Sequence, residues 1–127
     1  MNNEQALFWF TGLYEGEGSV QGRHYQNKDN GRFYFSLSLR IDMTDEDTIN
    51  TVQKYFGGKV NPRRKLLPGR KQTWIWQLAK KDEVIALAEK ILPYLSIRRR
   101  AQLNDAITRC KAYYASKNEP LSKTTTT

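Results

Sequence analysis

Residues 10 to 20, FTGLYEGEGSV, place two carboxylates, Glu15 and Glu17, among three glycines, Gly12, Gly16 and Gly18. The residues around 4 to 15, EQALFWFTGLYE, carry Ala6, Leu7, Phe10, Leu13 and Tyr14 at helical spacing, and GEG then stops the helix. Both acids therefore fall at a helix C-terminus, where the macrodipole is already negative, and such a placement requires a compensating cation. Gly12 and Gly16 share one helical face, so a second backbone can approach there with no side chains between. The same pair is also ordinary turn chemistry at a helix end, and the two acids are also compatible with a solvated terminus.

A chain of 127 residues supports one core and one site. Its composition, 39% apolar, 12% aromatic and 27% charged, is that of a globular domain and not of a disordered one. The net charge of +8 and pI of about 9.7 attract polyanions, nucleic acid first among them, although membrane surfaces and ribosomes satisfy the same field. No apolar run approaches a bilayer span, and the start MNNEQ lacks the layout of a signal peptide. A soluble, intracellular protein with no membrane partner is expected. The single cysteine, Cys110, excludes an internal disulfide and a cysteine-built zinc site, and the single histidine, His24, cannot build a metal cage. Cys110 reads as a core filler and His24 as a hairpin surface residue.

The elements that must position the acids follow from periodicity. Residues 33 to 41, FYFSLSLRI, alternate Phe33, Phe35, Leu37, Leu39 and Ile41 on one face with Tyr34, Ser36, Ser38 and Arg40 on the other, which predicts a half-buried strand. SVQGRHY, residues 19 to 25, is its hairpin partner across QNKDNGR. Thr44 is read as the N-cap of a second helix whose stripe of Ile49, Val52 and Phe56 closes at Gly57 and Gly58. A second hairpin runs from KVNPRRK (59 to 65) through LLPGRKQ to TWIWQLA (73 to 79), and DEVIALAEKIL is helical up to Pro93. From Ser96, a stripe of Leu103, Ile107, Cys110 and Tyr114 makes a last helix, and SKTTTT reads as a frayed end. The fold class is α+β, in the order αββαββα, with helices on one face of an antiparallel four-stranded sheet. The domain is residues 1–116, followed by a C-terminal tail, 117–127. The other sheet face is polar and basic, which suits a platform laid along nucleic acid.

These residues resemble the LAGLIDADG homing endonucleases. FTGLYEGEG, residues 10 to 18, matches the family's nine-letter motif at Gly12, Leu13 and Gly18 and keeps acids at both acidic positions. The alternating strand, KYFGGKV, the tryptophan strand and ILPYLSIRRRAQL follow in the family's order, so the resemblance covers residues 6 to 112. It implies a concave four-stranded saddle that binds double-stranded DNA. It also implies that the motif helices of two halves pack through small residues, with the last acid, Glu17, at the helix foot. Glu17 and the backbone carbonyl of Gly16 would then hold Mg2+ or Mn2+ against a scissile phosphate, with oxygen ligands suited to a hard cation. Glu15, with Gly12, Leu13 and Gly16, is placed at the interface between halves. The motif occurs once, which implies a symmetric homodimer reading a roughly palindromic site.

The resemblance also puts a basic residue, commonly lysine, near the cleaved phosphate, and here that residue is Arg98. Arginine stabilises charge but cannot act as a base. Arg98, Arg99 and Arg100 are also readable as a solvated basic turn, the less favoured reading, since at least one is expected to contact phosphate. A polar residue that organises water falls among Asp42, Met43 and Thr44. Strand alternation directs Gln21, Arg23, Tyr25, Tyr34, Ser36, Ser38 and Arg40, then Lys59, Asn61 and Arg63 with Thr73, Ile75 and Gln77, toward the groove. Arg64, Lys65, Arg70 and Lys71 lie in turns and touch phosphates. Trp74 and Trp76 either fill the core or stack on bases, the former being commoner for tryptophan pairs at strand spacing. The expected function is a site-specific, metal-dependent DNA endonuclease. An intron maturase binding RNA and a non-cleaving DNA-binding protein are the alternatives on the same fold.

Overall fold

The computed structural model describes residues 1–63 and 68–126, with residues 118–126 described by their backbone alone. Helix α1, Asn3–Glu17, begins with a reciprocal capping box: the Asn2 side chain accepts from the Gln5 amide at 2.8 Å, and the Gln5 side chain accepts from the Asn2 amide at 2.9 Å. Ala6, Phe10 and Tyr14, spaced four apart, bury one stripe of this helix. The helix runs through GEG and hands over directly to β1 at Gly18. A Cβ at Gly18 would overlap the Tyr14 ring, so glycine there is what allows the sharp exit.

Strands β1, Gly18–Gln26, and β2, Phe33–Met43, form the expected antiparallel hairpin, with Gly18 opposite Ile41 and Gln26 opposite Phe33. Helix α2, Glu46–Phe56, is capped by Asp45 and not by Thr44. The Asp45 carboxylate accepts from the Asp47 amide at 3.2 Å and from Thr48 Oγ1 at 2.9 Å, and as an anion it suits the positive helix start better than a hydroxyl does. Strands β3, Lys59–Pro62, and β4, Trp74–Leu78, are shorter than the expected 59 to 65 and 73 to 79. Beyond them one further backbone bond, Arg63 N–H to Thr73 O at 2.8 Å, continues the approach. Pro62 has no N–H to donate, and it is tolerated because β3 lies at an edge of the sheet, whose order is β1-β2-β4-β3.

Helix α3, Lys81–Ile91, passes into a single 3-10 turn, Leu92–Tyr94, at Pro93. Helix α4, Ile97–Thr126, then continues past the expected boundary at residue 116. Lys117 is part of the packed body: its ammonium donates to the Phe33 carbonyl at 2.6 Å and sits over the Tyr34 and Tyr113 rings.

The helices cover one sheet face. Phe35, Leu37, Leu39 and Ile41 of β2 and Trp76 and Leu78 of β4 bury against Phe10 and Tyr14 of α1, Ile49 and Val52 of α2, Val84 and Leu87 of α3, and Leu103, Ile107 and Cys110 of α4. Burial of each large apolar side chain contributes about 1.5–3 kcal/mol, which makes this face the reason the strands alternate as they do. Trp76 is fully buried and donates its indole N–H to Gly57 O at 2.7 Å, while Trp74 packs against the same cluster, so both tryptophans are core residues. His24 turns toward the helix side, edge-on to Phe35 and Tyr113 at 5.1 Å each.

Candidate active site and nucleic-acid interface

Glu17 is the last residue of α1 and is exposed at the margin of the uncovered sheet face. It lines an open recess of about 490 Å³ together with Ser19, Val20, Gln21, Arg40 and Asp42. Glu15, two residues earlier, has a different surrounding. Its carboxylate accepts from the Ser96 amide at 2.6 Å and from Ser96 Oγ at 2.9 Å, joining the end of α1 to the start of α4. The Ser96 amide bond, then the hydroxyl bond and the Arg99 and Arg98 charges, hold the Glu15 carboxyl below its ordinary range. Glu15 therefore acts as a tie within the chain, between the end of α1 and the start of α4.

The cation expected at this helix end is present, and it is Arg99. Its Nε donates to Glu15 O at 3.1 Å and its Nη1 to Gly18 O at 2.6 Å, and its guanidinium lies 6.0 Å from the Tyr14 ring. These carbonyls belong to the end of α1, where intrahelical donors run out. Burial pushes the Tyr14 hydroxyl up to about 12, against the opposing pull of Arg99. Arg98, one residue before, is exposed on the first turn of α4 with its guanidinium unpaired among the described residues. Sequence reasoning singled out Arg98 and missed Arg99. The two are indistinguishable as letters, and only the 100° step between helix neighbours aims one at α1 and the other at solvent.

Gly12 and Gly16 lie on the outer face of α1, and a Cβ added at either would meet no atom within 4 Å. Phe8, one turn earlier on that face, is 47% exposed and packs edge-on against Tyr94 at 5.1 Å. Tyr94 is 57% exposed, so apolar ring surface continues from Phe8 on this side of α1, and Ile97, at the start of α4, is 79% exposed. Leu13 is partly buried against the core.

On the uncovered sheet face Gln21, Arg23 and Tyr25 of β1 are exposed, and Tyr25 stacks on Tyr34 of β2 at 5.5 Å. Ser36 is half-buried. Ser38 is only 2% exposed, a correction to its placement as a groove residue: on a central part of the sheet a side chain this short is closed off by its neighbours. Arg40 stands out but is held by Asp42, with Nε to Oδ1 at 2.7 Å and Nη2 to Oδ2 at 2.9 Å. Of the three water-organising candidates, Met43 packs against the core and Thr44 lies beyond the strand, so Asp42 alone shares the groove face with Arg40. Lys59, Asn61 and Gln77 are exposed, and Ile75 is half-buried. Arg63 and Thr73 lie just outside the strands, exposed and half-buried respectively. Arg70 and Lys71 are exposed on the connection between β3 and β4, whereas Arg64 and Lys65 lie outside the described residues.

The LAGLIDADG endonuclease family matches residues 10–104. The homing endonuclease I-CvuI, crystallised in complex with its target in the presence of 2 mM Ca, is 22% identical, with a TM-score of 0.70 over 91% of this chain and 71% of that one. The homing endonuclease I-TnaI is 17% identical, with a TM-score of 0.69 over 92% of this chain and 81% of its own. The archaeal intron-encoded homing endonuclease I-Vdi141I, complexed with DNA, is 15% identical, with a TM-score of 0.61 over 80% and 65% of the two chains. No match is found among curated protein sequences. A four-stranded antiparallel sheet with all its helices on one face, and an acid at the foot of the first helix, define the homing endonuclease type of fold, here αββαββα with a further C-terminal helix, α4. The chain belongs to the LAGLIDADG endonuclease family.

Proposed function

We propose that the protein is a site-specific endonuclease that binds a long, roughly palindromic double-stranded DNA site as a homodimer and hydrolyses both strands with a divalent metal ion. The observation that carries this reading is the position of Glu17, free at the end of α1 beside the bare Gly12 and Gly16 seam and at the margin of the uncovered sheet face. Packing the seam of one copy on that of another brings two Glu17 carboxylates together under a two-fold axis and covers Phe8 and Ile97 at the same time.

A divalent ion fits the donors at this place. The Glu17 carboxylate is exposed, and Gly16 lies in the last turn of α1, whose carbonyls lack intrahelical donors. Arg99 takes the carbonyls of Glu15 and Gly18, and no described side chain donates to that of Gly16. Two hard oxygen ligands suit Mg2+ or Mn2+. Among the described residues no group of three or more His, Cys, Asp or Glu could hold an ion within one chain. In this reading the second copy and DNA phosphate complete the set. The bound ion would supply water activation and leaving-oxygen stabilisation.

The chain's own residues do the remainder. Arg99 fixes the end of α1 and so the position of Glu17. Arg98 stabilises phosphate charge without accepting a proton. Gln21, Arg23, Lys59, Asn61 and Gln77 face base edges, while Arg70 and Lys71 anchor phosphates.

The test is incubation of wild type and Glu17→Gln with a randomised duplex library in magnesium, followed by sequencing of cut ends and of bound duplexes. Wild type should cut at one recurring site, and Glu17→Gln should recover the same site uncut. Equal cutting by the variant refutes the metal assignment. Binding without cutting by wild type identifies a non-cleaving DNA-binding protein, and selective binding of intron RNA identifies a maturase.

A further inference from the structure

Arg40 and Asp42 lie two residues apart on β2, on the face opposite the buried Leu39 and Ile41, so they stand side by side above the groove. Their bidentate bond uses one defined edge of the guanidinium, the Nε–H and one Nη2–H. Three of the five N–H donors remain, and two of them, one on Nη1 and one on Nη2, form the unoccupied end-on edge. The pair is only partly covered, with side chains 43% and 32% exposed, so it contributes little stability as an ion pair. It does remove rotamer freedom from a long side chain before DNA arrives. It also cancels the charge of Arg40 locally. A neutral pair gains little from the phosphate field, in contrast to Lys71 or Arg70 on the exposed turn.

The geometry points to Asp42 as a positioning residue that presents the end-on edge of Arg40 to a guanine, making one base pair in each half-site guanine-selective. This rests on the DNA-binding reading proposed above. Two parallel donors match the O6 and N7 acceptors of guanine in the major groove. Adenine offers one acceptor and one donor there, and cytosine a donor, so neither accepts both hydrogens. With its other edge occupied, Arg40 is biased toward this one pattern. Gln77, directly opposite Arg40 on β4, flanks it on the same face.

The probe is the duplex recovered from the randomised library, remade as a panel of singly substituted sites and measured for binding at two salt concentrations. Wild type should prefer guanine at one pair per half-site by about tenfold. Arg40→Ala should abolish that preference, with a common loss at all sites from the uncompensated Asp42 carboxylate, whereas Arg40→Ala/Asp42→Asn, which keeps the local charge, should abolish it with the salt slope unchanged. Asp42→Asn, which keeps the shape but offers one neutral acceptor, should lose most of the preference at the same pair. The double variant should be no worse than Arg40→Ala. Asp42→Glu should restore part of the preference, which a merely structural aspartate would not do. Retention of full guanine preference by Asp42→Asn overturns the positioning role while leaving Arg40 as a base reader. Uniform weakening at all sites by Arg40→Ala, with the guanine preference retained, overturns the role of both residues, with DNA binding itself intact. Failure of the wild type to select any duplex overturns the DNA-binding reading together with this one.

Discussion

Replacing Arg99 by alanine tests whether the end of α1 is held by a side chain of α4. The substitution removes two charge-assisted donors, to Glu15 O and Gly18 O, and the cation that offsets the helix dipole. A hydrogen bond involving a charged group is worth about 1.5–3 kcal/mol, and partial exposure places each of these near or below the low end. The dipole term adds about 0.3–1 kcal/mol. The expected loss is about 2–4 kcal/mol, or a fall in melting temperature of about 6–15 °C for a domain of this size. Urea unfolding followed by tryptophan fluorescence measures it, at one fixed protein concentration because the midpoint of the proposed dimer would depend on concentration. Arg99→Lys should lose about half as much, since one ammonium cannot reach both carbonyls in the same fixed fork. Arg98→Ala should leave the midpoint unchanged within about 0.5 kcal/mol, the range for an exposed site. An Arg99→Ala midpoint equal to wild type, or a larger loss at Arg98, would refute the assignment of the cap.

Gly12→Leu should leave the chain folded, because its Cβ meets nothing, but should split the proposed dimer into monomers by light scattering; a fully retained dimer excludes the seam as the interface. Gly58→Ala should destabilise by about 2–4 kcal/mol, since φ is +86° and the new Cβ would lie 2.7 Å from Gln77 O and 2.8 Å from Trp76 Nε1; an unchanged midpoint would contradict this close approach. The Glu15 carboxyl is held below its ordinary value of 4.5 in the folded chain, so its stabilisation is complete above that value and is lost as pH falls through the lower folded one. Unfolding midpoints from pH 6 to pH 3, in steps of about half a unit, should therefore fall less steeply for Glu15→Gln than for wild type on the acid side of about 4.5, and parallel curves would remove Glu15 from the acid response.

The expected order of helices and strands matches the structure because each element carries a local signal. FYFSLSLRI alternates without a break, so burying Phe35, Leu37, Leu39 and Ile41 dictates one strand face from the letters alone. GEG announces an abrupt end of α1, and GG an abrupt end of α2, because glycines allow close approach and positive φ. Strand ends carry weaker signals: β3 stops at Pro62, and Asp45 displaces Thr44 as a cap by a single residue.

What tertiary structure alone decided is how each charge is occupied. Glu15 and Glu17 are the same residue type two positions apart, yet Ser96, more than 80 residues away in sequence, takes one and leaves the other free. Arg98 and Arg99 divide in the same way, and Arg40 is tied to Asp42 while Arg23 stands exposed. Periodicity reports which face of an element a residue occupies, since that depends on local geometry and burial. Pairing depends on distances between elements distant in the chain, and these exist only once the core has packed.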